Sequence, residues 1–93
     1  MPTIDLRRAH QIPVEDARHA VETVIAAIGR KFGIRYQWRD DRVDFSRTGV
    51  KGHIEIAPDT VHVRAELGFL LAGMQSKIEN EIETHLDRAL GPR

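Results

Sequence analysis

Between Ile34 and Leu67 the apolar residues recur at every second position: Ile34, Tyr36 and Trp38, then Val43 and Phe45, then Ile54 and Ile56, then Val61, Val63, Ala65 and Leu67. A period of two marks strands with one face buried and the other in water. The run is broken at Asp40-Asp41, Thr48-Gly49 and Pro58-Asp59, all of them residue types that make tight hairpin turns. Taking each as a two-residue loop sets Trp38 opposite Val43, Phe45 opposite Gly52, Ile54 opposite Val63 and Ile56 opposite Val61. The apolar sets then share one face through successive hairpins. A slip of one residue at any turn would send a strand's apolar side chains to the other face, so the agreement specifies the register as well as the meander.

The flanks switch to helical spacing. Val14, Ala17, Val21, Val24, Ile25, Ile28 and Phe32 fall three and four apart, with Pro13, Glu15 and Asp16 suited to a helix start and Gly33 to a left-handed end. Leu71, Met74, Ile78, Ile82, Leu86 and Ala89 or Leu90 form a second stripe, which predicts a long helix from Phe69 to Leu90 stopped by Gly91-Pro92. Ahead of the first helix, Thr3 to Arg8 alternates Ile4 and Leu6 with Asp5 and Arg7 and reads as a short strand. The element order is therefore β-α-β-β-β-β-α. A single helix between the first two strands returns the chain to its starting edge, and the hairpins leave the fifth strand antiparallel to the first. The favoured sheet order is 1-5-4-3-2, all antiparallel; the alternative sets the first strand parallel beside the second. The expectation is a single α+β domain over residues 1–93, a two-layer fold with a five-stranded, mainly antiparallel sheet and two long helices on one face.

Composition bounds the function. A chain of 93 residues supports one core. Lys plus Arg equals Asp plus Glu at 14 each, so there is no global field to attract nucleic acid. With no cysteine, disulfides, thiolate zinc sites and cysteine nucleophiles are all removed. No stretch approaches the roughly 20 apolar residues of a membrane span, and a cytoplasmic location is expected. His10, His19, His53, His62 and His85 are scattered over different elements without metal-motif spacing, so no metal or cofactor is expected and the histidines are placed on the surface.

In the deduced register Gln37, Asp44, His53 and Arg64 form one row of the polar sheet face, Arg35, Ser46, Lys51 and Glu66 form the next, and Glu55 faces His62. Asp44 with His53, or Glu55 with His62, has the make-up of an acid/base pair, which makes this cluster the candidate site of a small hydrolase or ligand-binding protein. A solvated sheet face also carries such pairs for about 0.2–1 kcal/mol each. A sheet with both helices on one side is expected to leave the other side flat, without the concavity a small-molecule site needs. The chain therefore reads as no enzyme. Arg35, Arg39, Arg42 and Arg47 concentrate positive charge on the second and third strands, while Glu79, Glu83 and Asp87 make an acidic line on the last helix. That line is either a solvated face or a contact with arginines of another subunit.

From Leu67 to Met74 the sequence Leu-Gly-Phe-Leu-Leu-Ala-Gly-Met has no polar side chain. Phe69 aligns with Gly73, Ser76 and Asn80, off the core stripe, so it either tucks under the end of the sheet or stands exposed. If exposed, Phe69 with Leu70 and Leu71 forms an apolar contact for a partner or a hydrophobic surface. Gly73 costs about 1 kcal/mol relative to alanine inside a helix, a hint that another backbone approaches closely there.

The opening Pro2-Thr-Ile-Asp-Leu-Arg-Arg8 with His10, the Gly33-Ile-Arg-Tyr-Gln-Trp38 segment, the Ser46-Arg-Thr-Gly-Val-Lys-Gly52 hairpin, and Glu66-Leu-Gly-Phe-Leu-Leu71 followed by Ile78-Glu79 resemble the polyhydroxyalkanoic acid system (granule-region) proteins, small bacterial proteins associated with storage-polyester granule genes. The resemblance covers nearly the whole chain and includes no catalytic signature. It implies a cytoplasmic, non-catalytic accessory role in polyhydroxyalkanoate synthesis or granule organisation, exercised on a granule surface or a granule-associated protein. The phasins are longer and largely helical, so their coating role does not carry over. The competing expectation is a homodimeric interaction module that pairs through its polar sheet face or last helix.

Overall fold

The turns close where the alternation breaks. The computed structural model describes residues 3–91, apart from the side chain of Leu70. It contains strands β1 (Thr3–Ala9), β2 (Arg35–Arg39), β3 (Arg42–Arg47), β4 (Val50–Ile56) and β5 (Thr60–Leu67), and helices α1 (Val14–Phe32) and α2 (Gln75–Leu90). The sheet order is β1-β5-β4-β3-β2, antiparallel throughout, so the parallel alternative for β1 is not the one adopted. Trp38 pairs with Val43, Phe45 with Gly52, Ile54 with Val63 and Ile56 with Val61, the register deduced from the hairpins. Two of the turns use a positive φ, at Asp40 (52°) and Gly49 (93°), as the twist of tight hairpins demands.

Both helices cover the inward face. From α1 the buried residues are Ala17, Ala20, Val21, Val24, Ile25, Ile28 and Gly29; from α2 they are Ile78, Ile82, Leu86 and Leu90. They close over Ile4, Val43, Phe45, Ile54, Val61, Val63, Ala65 and Leu67 to make one apolar core. Gly33 ends α1 in the left-handed conformation (φ 69°), returning its N–H to Gly29. Pro13 occupies the cap position just ahead of the helix.

Three local details depart from the sequence expectation. The last helix does not begin as an α-helix, because Phe69–Met74 is a 3-10 segment that opens with Leu71 N–H donating to Gly68 C=O at 3.1 Å. Leu71 and Met74, three residues apart and so on one side of the turn, both pack on the core. The close backbone approach attributed to Gly73 lies elsewhere: a Cβ on Gly73 would meet nothing within 4 Å among the described residues, whereas one on Gly68 would sit 3.3 Å from Gly49 Cα, and one on Gly52 would meet the Arg64 carbonyl oxygen at 2.1 Å. His10 is not on the surface. At 6% exposure it is buried, with Nε2 donating to Ala57 C=O at 2.9 Å and Nδ1 accepting from Ile12 N–H at 3.4 Å. The imidazole thereby ties the exit of β1 to the β4–β5 turn, where His10 N–H also donates to Asp59 C=O.

Candidate functional site

The strand register lays the outward side chains in three rows across five strands. Nearest the Asp40-Asp41 turn run Arg39, Arg42, Glu55, His62 and Arg7; the middle row is Gln37, Asp44, His53, Arg64 and Asp5; the third is Arg35, Ser46, Lys51, Glu66 and Thr3. The four residues singled out as an acid/base cluster, Asp44, His53, Glu55 and His62, do share this face, but they pair differently from the sequence expectation. His62 Nε2 donates not to Glu55 but to Asp5 Oδ1 of the edge strand, at 2.7 Å, and Arg64 reaches the other oxygen of Asp5 at 3.3 Å. His53 Nε2 lies 3.2 Å from Glu55, its neighbour two residues along the same strand, and makes no bond to Asp44, its cross-strand partner. Asp44 is held by Arg42 at 2.9 Å and Arg39 at 3.2 Å, and Arg42 also reaches Glu55 at 3.6 Å. The two imidazoles meet edge to face, with centroids 6.4 Å apart.

Sequence reasoning missed Asp5 because a first strand has no fixed register until it docks. Once β1 lies beside β5 with Asp5 opposite Arg64, the carboxylate falls diagonally next to His62. The hydrogen bond from His62, helped by the charges of Arg64 and Arg7, holds the Asp5 carboxyl below its ordinary value of 3.8, against the opposing effect of partial burial. The resulting network crosses the sheet as two groups of charge pairs, one from Arg39 to His53 and one joining Asp5 to His62 and Arg64, which meet only at the ring contact of the two imidazoles, and each acid in it is matched by at least one cation. It fixes side chains in place. Among the described residues no group of three or more His, Cys, Asp or Glu side chains could hold a metal ion.

The sheet face is not flat. Around Gly52 it sinks into an open depression of about 470 Å³, lined by residues of the middle and third rows including Arg35, Gln37, Ser46, Lys51, His53 and Arg64. On the inner side of the same stretch, the absent side chain at Gly52 leaves room for the Phe45 ring and for the close β5 backbone. Between the sheet and the helices lies an apolar void of about 30 Å³, lined by Val24, Ile28, Phe45, Leu71 and Ile82 among others, which is too small for an organic ligand.

At the far end of the sheet, Phe69 is 95% exposed, so the tucked alternative is not adopted. Its support is firm. Gly68 N–H donates to Gly49 C=O at 2.7 Å, and the Leu71 side chain packs over Gly49 at the tip of the β3–β4 hairpin and against the core. Of the three residues proposed for an apolar contact, Phe69 points out, Leu71 is half-buried and faces the core, and the side chain of Leu70 lies outside the described part. The acidic line on α2 is partly satisfied within the chain: Asp87 pairs with Arg8 of β1, and Glu79 accepts from Gln75 at 3.2 Å. Beside it, Lys31 of α1 bonds Glu81 and holds that carboxyl below its ordinary 4.5.

The opposite edge is secured through a single carboxylate. Tyr36 and Trp38 of β2 both donate to Glu22 of α1, at 2.8 Å each, and Arg18 stacks over the Trp38 ring at 5.0 Å. Donation to Glu22 raises the Tyr36 phenol above its ordinary 10.0.

These features define a small two-layer α+β protein with an open, charged sheet face and one projecting aromatic at the end of the sheet. The chain belongs to the family described as "Putative polyhydroxyalkanoic acid system protein", whose model matches residues 4–90. Among solved structures it is similar to PA4090 from Pseudomonas aeruginosa, determined by NMR, with a TM-score of 0.65 at 13% identity over 100% of this chain and 88% of the other. At that identity the likeness concerns the fold alone. No curated protein matches the chain. Among the described residues no helix is long and apolar enough to cross a membrane.

Proposed function

We propose that the chain is a non-catalytic accessory protein of polyhydroxyalkanoate synthesis or granule organisation, which binds the granule surface or a protein on it through the apolar segment centred on Phe69. The observation that carries this reading is the 95% exposure of Phe69, on a segment with no polar side chain and anchored from behind by Leu71. Family membership supplies the polyester context. Moving a phenylalanine ring from water into an apolar surface gains about 1.5–3 kcal/mol, enough to tip a weak association but not to make one irreversible. The non-catalytic part of the reading is supported by the polar face, where the His62 donor is committed to Asp5 and the Asp44 carboxylate to two arginines.

Co-sedimentation with isolated polyester granules tests the proposal. The protein is expected to pellet with granules well above a soluble control, and Phe69→Glu, which touches no core residue, is expected to remain in the supernatant while melting like the parent. Absence of wild-type binding overturns the granule reading. Undiminished binding by the folded variant overturns the role of Phe69.

A further inference from the structure

In the first two outward rows every carboxylate meets a cation and Arg7 of the edge strand is the one cation left over, whereas the third row leaves two cations side by side without partners among the described residues. Arg35 and Lys51 make no hydrogen bond or ion pair with any described residue, although Arg39, Arg42 and Arg64 on the same face are all engaged with carboxylates. The register places Ser46 between them, opposite Arg35 on one side and Lys51 on the other. With strands about 4.8 Å apart, the two cations start roughly 10 Å from each other across the intervening strand. That is close enough for both long side chains to converge on one small group above Ser46. All three line the depression around Gly52, with the Gln37 amide beside them.

We propose that this corner of the sheet is a binding site for the carboxylate or phosphate group of a small molecule. Arg35 supplies a planar pair of N–H donors, Lys51 a mobile point charge, and Ser46 a hydroxyl between them. The acids around the site define where the anion sits. Asp44 is already neutralised by Arg39 and Arg42, so it does not oppose an anion nearby. Glu66, opposite Lys51 on β5, repels an anion and keeps it toward β2 and β3. Because the whole chain has no net charge, attraction is local to this row and is weakened by salt. The site stands independently of the granule reading and involves no residue of the Phe69 segment.

The test is a titration of the full chain with inorganic phosphate and, separately, with acetate, at constant ionic strength made up with chloride and followed by amide NMR. Saturable shifts at Gln37, Ser46, Lys51 and Gly52 are expected with at least one anion, and the anion that saturates identifies the ligand class. Arg35→Gln or Lys51→Gln is expected to weaken binding about tenfold or more, the usual effect of losing a hydrogen bond to a charged group. Arg7→Gln, at the opposite corner of the face, is expected to leave it unchanged. These positions are exposed, so the variants should melt like the parent. The proposal is overturned if neither anion gives a saturable shift, or if both folded variants bind as the parent does.

Discussion

Gly52 is the position where one added carbon should do the most damage. A Cβ built there stands 2.1 Å from the Arg64 carbonyl oxygen, 2.7 Å from Ala65 Cα and 2.9 Å from Phe45 Cζ. Two of these neighbours are backbone atoms of β5, which cannot rotate away. To reach ordinary contact distance β4 and β5 must separate by roughly 1 Å, which strains the ladder at the centre of the sheet and lifts Phe45 from the core. Overpacking of this kind costs about 1–3 kcal/mol, and a clash with fixed backbone belongs at the upper end. For a domain of this size about 3 kcal/mol lowers the melting temperature by roughly 12–24 °C. Gly73→Ala is the matched control. It adds the same carbon where nothing lies within 4 Å, and it should stabilise by about 0.4–1 kcal/mol by restricting the unfolded chain. Thermal melts followed by circular dichroism read both. A Gly52→Ala protein melting within about 4 °C of the parent, the shift of a single kcal/mol, would refute the steric reasoning.

Two further outcomes follow from buried or paired groups. His10→Leu leaves the Ala57 carbonyl and the Ile12 N–H without their side-chain partner and should lower the free energy of unfolding in urea by about 1–3 kcal/mol; a loss under about 0.5 kcal/mol would mean that the imidazole is not a structural tie. Asp5 has a native pKa below its ordinary 3.8, so its pairing with His62 stabilises the fold at pH above that value, and the stabilisation fades as pH falls through the lowered native value. The stability difference between the parent and Asp5→Asn should therefore narrow on acidification. A gap that stayed constant down to the acid limit would show that the carboxylate charge contributes nothing.

The element order and the hairpin registers were legible in residues 3–90 because each rests on a short-range rule, whereas the place of β1 in the sheet was favoured but left with an alternative. Alternation from Tyr36 to Leu67 gives faces, dipeptides such as Thr48-Gly49 set loop length, and the three-and-four spacing of Val21, Val24, Ile25 and Ile28 gives a buried helix stripe. The composition of the middle and third polar rows across β2 to β5 could be written down from the register alone, though not the residues that β1 adds. The partners within those rows could not. Whether His62 bonds Glu55 or Asp5 depends on side-chain direction and on where β1 docks, and His53 turned to a residue on its own strand in place of the one across from it.

Three further matters were decided by packing at a distance. The exposure of Phe69 goes with the seating of Leu71 over Gly49 of a distant hairpin, at a segment that opens as a 3-10 turn. The burial of His10 follows from the β4–β5 turn closing over the exit of β1. The depression in the outer face is formed by side chains that four neighbouring strands, β2 to β5, bring together. Sequence by itself determined which elements form and which face of each is apolar, since those depend on neighbours within a few residues along the chain. Only the tertiary structure decided which polar groups meet, which aromatic is left out and where the surface is hollow, because those depend on atoms brought together across dozens of residues.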